Sequence, residues 1–154
     1  MVESGIKQTF PSNLTDSSTT VENELGTLRF DGGNIYQYVQ ASDTTVATNV
    51  VSWVANSAVG TNDYKVYVAI GSVTAVAGVA VGSIATNSYG WIQVAGVAEC
   101  IGDDDIVELV QVVSATDGTV DSWSDTHEHE VMGVALENDI ATSFKVQVRL
   151  KNLI

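Results

Sequence analysis

The sequence is poor in cysteine, proline and positive charge. It contains one cysteine and one proline, and its 6 lysine and arginine residues stand against 19 aspartate and glutamate residues, which gives a net charge of −13 at pH 7. A single cysteine excludes an intrachain disulfide, and a lone thiol suits a reducing compartment. Because phosphate binding depends on lysine and arginine releasing counterions, this charge argues against direct binding to nucleic acid or anionic lipid.

Long apolar runs are also missing. The most apolar stretch, residues 66–85, is interrupted by Gly71, Gly78 and Gly82, so we predict no membrane-spanning segment. The first ten residues lack a basic segment followed by an apolar one, and we expect no signal peptide. Since 45% of the 154 residues are hydrophobic and 16% are charged, the chain can bury the core of one domain.

The first 24 residues differ in composition from the rest. Between Ser12 and Glu24 almost every residue is polar, and such a segment cannot bury enough apolar surface to offset the entropy lost on ordering. We therefore expect an extended or disordered N-terminal arm over residues 1–24 and a single β-rich domain over residues 25–154. An arm that becomes ordered on a partner would be anchored by its few apolar residues, which are Ile6, Phe10, Pro11 and Leu14. A flexible terminus is the alternative.

From residue 25 onward the composition is typical of β-strands, because valine, threonine and isoleucine dominate between short turns. Strands are predicted over residues 28–30, 35–41, 65–70, 91–100, 106–114 and 144–150. The turns at residues 31–34 and at Asp117-Gly118 contain residues that tolerate positive φ. Residues 49–58 are the one stretch where a helix competes. Many short strands with little helix predict a mainly β fold, either a small barrel or a sandwich.

The last predicted strand has the most regular alternation. Its two faces are Phe144, Val146, Val148 and Leu150 on one side, and Lys145, Gln147, Arg149 and Lys151 on the other. This period of two predicts one buried face and one solvent-facing face. Lys145, Arg149 and Lys151 are half of all the basic residues. They either pair with carboxylates of the same domain or dock on the acidic surface of a second copy.

Two distant segments repeat a short pattern. Residues 78–80 and 133–135 both read Gly-Val-Ala, and each is followed by a Gln-Val pair, at residues 93–94 and 147–148. We interpret the repeat as two similar strand-loop-strand units. Chance in a chain rich in valine, alanine and glycine is the alternative.

Polar clusters give little support to catalysis. His127 and His129 would share a face of an extended segment, and two imidazoles at that spacing can ligate one metal ion, as in a metal-dependent hydrolase. A solvated loop is the alternative, because no third histidine exists and Cys100 lies in an apolar strand pattern. The usual nucleophile and phosphate-binding motifs do not occur. We predict no catalytic residues, no metal site and no cofactor.

Two tryptophans lie in contrasting surroundings. Trp91 is part of an apolar strand pattern and is predicted to lie in the core. Trp123 lies between Asp121-Ser122 and Ser124-Asp125. An aromatic side chain in a polar loop is a candidate interface anchor.

Three stretches follow one another in a distinctive order. They are GTLRFDGGNIYQYVQA at residues 26–41, YGWIQVAGVAE at residues 89–99, and a region over residues 109–150 that reads LVQVVSATDGTVDSW, then EVMGVALEND, then FKVQVRL. Together they resemble the capsid decoration (cement) proteins of tailed bacteriophages and related prophage proteins. Residues 43–62 and 127–130 have no counterpart in that pattern.

The resemblance implies a non-enzymatic virion protein that binds the outer surface of a phage capsid and stabilises it. Its partners would be the major capsid protein and further copies of itself, in a homotrimer. It would be made in the host cytoplasm and located on the capsid exterior. The alternatives are another virion component, such as a head-fibre base or a tail-tube subunit, and a small metal-dependent hydrolase using His127 and His129.

Overall fold

The regular secondary structure of the described residues is almost entirely β-strand. A computed structural model describes residues 9–54, 64–69, 75–103, 105–124, 131–139 and 143–149. The strands within these residues are β1 (Leu28–Asp31), β2 (Asn34–Ala41), β3 (Val50–Trp53), β4 (Lys65–Val68), β5 (Val76–Ala80), β6 (Tyr89–Cys100), β7 (Gln111–Ser114), β8 (Val120–Ser122), β9 (Gly133–Ala135) and β10 (Phe144–Arg149). One 3-10 turn, Thr116–Gly118, joins β7 to β8. In this part of the chain no helix is long and apolar enough to cross a membrane.

Five of the strands close into a barrel. The order around it is β2, β4, β3, β5 and β6, and β6 pairs again with β2. The β2–β4 pair is parallel, and the other pairs in the ring are antiparallel. Closure gives these strands two hydrogen-bonded neighbours each, which removes the exposed edges of an open sheet. The predicted mainly β fold is therefore confirmed, in the barrel form.

Small and branched apolar side chains fill the barrel. The interior cluster consists of Val39, Val51, Val66, Ala77, Ala80, Ile92 and Val94, each at most 2% exposed. A barrel of few strands is narrow, so side chains of this size fill it without leaving a channel. The barrel is thus a packed core, with no open lumen for a ligand among these residues.

Strand β6 connects the barrel to a second layer. Its first half pairs with β2 and β5, and its second half pairs with β10. The change occurs at Gly96, whose φ is +98°, opposite a register shift in β2. Asn34 Oδ1 accepts a hydrogen bond of 3.0 Å from the backbone N–H of Val97, which holds β2 against the bulged strand.

The second layer consists of the C-terminal half of β6 followed by β10, β9, β7 and β8. Its inner face packs against β3 and β5 on the outer wall of the barrel, and the two layers share one apolar cluster. Phe144, on β10, is the largest side chain in this cluster and is fully buried. Val146 and Val148 are buried beside it, while Lys145 is exposed. The predicted alternation of the last strand is therefore confirmed at these positions; Leu150 and Lys151 lie outside the described residues.

Both predicted turns are confirmed. Gly32 and Gly33 connect β1 to β2 with φ values of +58° and +83°. Asp117 and Gly118 have φ values of +54° and +76°. The Gly118 N–H donates to the carbonyl of Ala69 at 2.8 Å, so this second turn also attaches the outer layer to the end of β4.

Some element predictions are wrong. The helix considered over residues 49–58 is a strand at Val50–Trp53, and the remainder beyond residue 54 lies outside the described residues. Val50, Val51 and Ser52 are all buried, so this strand shows no alternation that would distinguish it from a buried helix. The strand predicted over residues 106–114 begins only at Gln111, because Leu109 lies in a turn with a φ of +68°, outside the β region.

The repeated Gly-Val-Ala pattern corresponds to two strand pairs with the same register. In the barrel, Val79 of β5 lies opposite Gln93 of β6. In the second layer, Val134 of β9 lies opposite Gln147 of β10. An added side chain on either leading glycine would collide with the backbone carbonyl of that opposite glutamine. The repeat therefore marks two strand pairs built in the same way.

Candidate interaction surfaces

The N-terminal segment, residues 9–24, packs on the outside of the barrel. The ring of Phe10 meets the indole of Trp91 edge-on, with 5.4 Å between ring centroids. The Arg29 guanidinium lies over both rings, 4.9 Å from the Phe10 centroid and 5.9 Å from that of Trp91. This cation–π arrangement holds the start of the segment against β1 and β6.

Ser12 is the polar centre of this contact. It is 6% exposed, and its Oγ lies 3.0 Å from both Trp91 Nε1 and Asn23 Nδ2, each of which donates to it. Its carbonyl accepts a further hydrogen bond of 3.2 Å from the Arg29 guanidinium. A buried serine with this many partners fixes the path of the segment, since its loss would leave the indole N–H without an acceptor.

The segment also joins the sheet directly. Ser18 forms an antiparallel bridge to Tyr89 at the start of β6, with N–O distances of 3.0 and 2.8 Å. Farther along, the backbone N–H of Glu22 donates to the Tyr38 hydroxyl at 3.3 Å. Burial is the main reason that the pKa of Tyr38 is raised. The described part of the predicted arm is thus in contact with its own domain.

The predicted anchors of the arm fall in different places. Phe10 and Leu14 are half-buried against the Tyr36, Tyr38 and Trp91 cluster of the same chain. Pro11 is exposed, and Ile6 lies outside the described residues. The role of these four residues in contacts between chains stays a prediction.

A second surface is the solvent-facing side of the second layer, which we call the outer sheet face. Strand register aligns one row of residues across it: Trp123, Gln111, Val134, Gln147 and Val97. Trp123 is 39% exposed and Val97 is 40% exposed, at the two ends of the row. The row therefore presents an apolar residue at each margin, with Val134 between two glutamine side chains in the middle.

Two exposed leucines lie in turns at the edge of the outer sheet face. The backbone N–H of Leu109 donates to the carbonyl of Ala135 at 2.9 Å, and that of Leu136 donates to the carbonyl of Lys145 at 2.8 Å. Leu109 precedes β7 and Leu136 follows β9. Lys145 in turn lies opposite Glu99 on β6. Leu109 is 73% exposed and Leu136 is 37% exposed. Sequence patterning missed both leucines, because they lie in turns that carry no periodic signal.

Lys145 is paired within the domain. Its ammonium lies 4.0 Å from a carboxylate oxygen of Glu137, and its backbone N–H donates to the same carboxylate at 2.9 Å. The backbone of Arg149 belongs to β10, but its side chain lies outside the described residues, as does Lys151. The structure thus brings Trp123 and Lys145 to one face. Docking of the basic stripe on a second copy stays a prediction.

A cleft of about 270 Å³ lies between β5, β6 and residues 47–48. Gln93, one of its lining residues, is buried, and its side-chain amide donates to the carbonyls of Ala95 and Val97 at 3.2 and 2.9 Å. Asn34, another lining residue, is engaged with Val97 and with the Tyr36 hydroxyl. These amides hold the bulge together, so their hydrogen-bonding capacity serves the fold.

Groups with catalytic or metal-binding chemistry are sparse in the described ranges. There, no cluster of three or more His, Cys, Asp and Glu residues could hold a metal ion. The candidate ligands His127 and His129 lie outside those ranges. Cys100 is fully buried on β6. Burial, with a smaller contribution from the Glu99 charge, raises the pKa of its thiol from 9.0 to about 12.

The Cys100 thiol is therefore expected to be unreactive in the folded protein. Thiolate is the reactive species, and at pH 8 a group with this pKa is almost entirely protonated. Modification by a thiol reagent should be slow in buffer and rapid in denaturant. Between pH 9 and 12 the unfolded chain loses this proton while the folded chain keeps it, so stability falls as the pH rises. In denaturant titrations, the Cys100→Ala variant should lack that part of the decline in stability. Fast reaction of the Cys100 thiol without denaturant would contradict its burial.

Comparison with known proteins gives a likeness in structure only. No protein-family model and no curated protein matches the chain. Among solved structures, the head fibre gp8.5 N base of bacteriophage phi29 aligns with a TM-score of 0.58 and 15% sequence identity. The alignment covers 75% of this chain and 94% of that one. The likeness establishes a shared fold.

Proposed function

We propose that this chain is a non-enzymatic structural protein of a phage virion that attaches to the outer surface of the capsid, in the role of a head-fibre base. The observation that carries the proposal is the shared fold with the phi29 head-fibre base, which extends over nearly all of that chain. The sequence resemblance to capsid decoration proteins points to the same location on a virion. The fold comparison favours the head-fibre base over a decoration protein as the specific role.

The physical character of the molecule supports an exterior position. A closed barrel with its own packed interior, which shares a second apolar cluster with the outer layer, is a rigid body. A net charge of −13 repels packaged nucleic acid and keeps particles apart. Because a capsid repeats its binding site many times, even a weak contact is multiplied if the chain forms a symmetric oligomer. We propose a homotrimer with the major capsid protein as its partner.

Binding to capsids tests this function. The purified chain is expected to sediment with capsids prepared without it and to appear as projections on the head surface by electron microscopy. Light scattering of the free protein should give three times the mass of a single chain, which is 16.3 kDa. A chain that stays in the supernatant would overturn capsid attachment. Labelling confined to tails would place the protein elsewhere in the virion.

A further inference from the structure

Strand β1 lies at one end of the strand order and pairs with β2 alone. At its start, the Tyr38 N–H donates to the carbonyl of Thr27 at 3.0 Å. Because bonded and non-bonded pairs alternate along an antiparallel ladder, Arg29 is bonded to β2, while the backbone groups of Leu28 and Phe30 point away from it. Among the described residues, no group hydrogen-bonds to these outward N–H and carbonyl groups. Strand β1 therefore presents an open edge.

The other end of the strand order is closed. On β8, the Val120 N–H donates to the carbonyl of Ile101 at 2.8 Å, and the Val120 carbonyl accepts from the Asp103 N–H at 2.7 Å. The next outward N–H, that of Ser122, donates to the Asp121 carboxylate at 2.6 Å. Unpaired edge groups are a template for pairing with another chain. That template is open at β1 and blocked at β8.

Phe30 adds an apolar side chain to the open edge. It is 70% exposed, although its backbone lies within a strand. Its ring is on the same face of β1 as Leu28 and lies across from Ile35 of β2, whereas Arg29 and Asp31 are on the other face. A strand added to this edge would form backbone hydrogen bonds and cover part of the ring at the same time.

The charges on β1 match those of a second copy. Arg29 and Asp31 are the only charged residues between Glu24 and Asp43, so this strand is locally neutral in a chain of net charge −13. If two β1 strands pair antiparallel with Phe30 opposite Phe30, Arg29 of each chain lies opposite Asp31 of the other. Opposite charges at directly facing positions stabilise a strand pair. The two Phe30 residues would also exchange both of their outward hydrogen bonds.

A second antiparallel register would also use the open edge. Centring the pair on Arg29 would place two guanidinium groups opposite each other, and facing like charges destabilise a strand pair. The register centred on Phe30 replaces this repulsion with two pairs of opposite charge. The same surface then serves both chains, which is the property of a two-fold interface.

We infer that the β1 edge is a docking surface for the β1 edge of a second copy of this chain, paired antiparallel about Phe30. Each copy contributes a strand of four residues, so the contact is small and weak for free chains and is favoured where many copies lie close together. A two-fold contact does not by itself close a trimer. In the homotrimer proposed above, it links neighbouring oligomers. The inference goes beyond the proposed function and does not depend on capsid binding.

Hydrogen exchange of the unaltered chain tests the contact directly. In dilute protein, the Arg29 N–H should exchange slowly because it is bonded to β2, and the Phe30 N–H should exchange rapidly. At about 1 mM chain, enough to half-fill a contact whose dissociation constant is of that order, the Phe30 N–H should become protected while the Leu28 N–H does not. Protection of Leu28 as well would overturn the register centred on Phe30. A Phe30 N–H that stays rapid would overturn the docking surface.

Phe30→Pro blocks the edge without breaking the β1–β2 ladder. The Phe30 N–H points away from β2, so proline removes a donor that only an added strand would use. Circular dichroism should show that the fold is kept. In sedimentation velocity, the mass of the unaltered chain should rise towards twice its dilute value as concentration increases. The apparent dissociation constant of this step should be about tenfold or more higher for the proline variant, which loses two hydrogen bonds per contact.

Phe30→Ser is the matched control for the proline variant. It removes the same ring and keeps the outward N–H, so it should associate more tightly than Phe30→Pro. Equal association by these two variants would assign the contact to the ring and overturn backbone pairing. A proline variant that associates as tightly as the unaltered chain would overturn the β1 edge as the contact.

Asp31→Lys tests the charge pairing. In the register centred on Phe30 it places a lysine opposite Arg29 of the second copy, so self-association should weaken several-fold. The substitution also makes the net charge less negative, so general repulsion between acidic chains cannot cause that weakening. Asp31→Asn removes the attraction without adding repulsion and should give an intermediate result. A lysine variant that associates as tightly as the unaltered chain would overturn the charge pairing.

The outcomes separate this inference from the proposed function. If the chain fails to sediment with capsids while the Phe30 N–H becomes protected, capsid attachment is overturned and the edge contact stands. If the chain binds capsids and the Phe30 N–H is never protected, the edge contact is overturned and capsid attachment stands.

Discussion

Replacing Trp91 with alanine is expected to lower the free energy of unfolding by about 3–5 kcal/mol, the range for truncating a buried aromatic side chain. The indole is fully buried. Its ring centroid lies 5.4 Å from that of Phe10 and 5.1 Å from that of Tyr38, and its N–H donates to Ser12. Truncation creates a cavity and removes the N–H from which the Ser12 hydroxyl accepts a hydrogen bond. Because domains of this kind are stable by about 5–15 kcal/mol, the variant should be marginally folded.

Denaturant titration followed by circular dichroism measures this effect. Trp123→Ala is the matched control, because the same side chain is removed from a site that is 39% exposed. Its free energy of unfolding should change by about 0.5 kcal/mol. Equal losses for the two tryptophans would contradict the packing around Trp91.

A milder change at the same contact separates the N-terminal segment from the body. Ser12→Ala removes the acceptor of the Trp91 N–H and should cost about 1–3 kcal/mol while the barrel stays folded. A protease specific for glutamate should then cleave faster at Glu22 and Glu24, which follow the contact. Unchanged cleavage would show that Ser12 does not hold the segment.

Fold class and most strands could be predicted from the sequence because alternation and turn residues are local signals. The last strand is the strongest example, since Val146 and Val148 are buried and Lys145 is exposed as predicted. Barrel closure could not be predicted. It depends on β6 pairing with β2, whose paired residues are 49 to 60 positions apart in the sequence. It also depends on strands such as β3, where Val50, Val51 and Ser52 are all buried. Such strands lack the period of two from which register is deduced.

The candidate interaction surfaces could be predicted from the sequence only in part. Trp123 and Lys145 were identified from their polar surroundings and strand position, and the structure places both on the outer sheet face. Leu109 was assigned to a strand, where an apolar residue needs no explanation. The structure shows instead that Leu109 has a positive φ and an exposed side chain, and neither property is encoded in a periodic pattern. Arg29, which lies over the rings of Phe10 and Trp91, was missed because residues far apart in sequence create that contact.

Replacing Gly96 with alanine is expected to lower the free energy of unfolding by about 3 kcal/mol or more, through two costs that add. The φ of +98° is strained for any residue with a side chain, which costs on the order of 1–3 kcal/mol. An added Cβ would also overlap Asn34 Oδ1 and lie 2.9 Å from Asn34 Cα, and relieving such overpacking costs about 1–3 kcal/mol more. The damage occurs where β6 passes from the barrel to the second layer, so the two layers should lose their fixed relation.

Gly32→Ala isolates the conformational cost from the steric one. Gly32 also has positive φ, at +58°, but nothing lies within 4 Å of an added Cβ. Its replacement should cost about 1–2 kcal/mol, from the left-handed backbone alone. The additional loss of unfolding free energy in the Gly96→Ala variant then measures the collision with Asn34. Hydrogen exchange at the Val97 N–H, which donates to Asn34, should accelerate in that variant only. Equal destabilisation by the two alanines, with Val97 still protected, would mean that the bulge accommodates a side chain and does not fix the outer sheet face against the barrel.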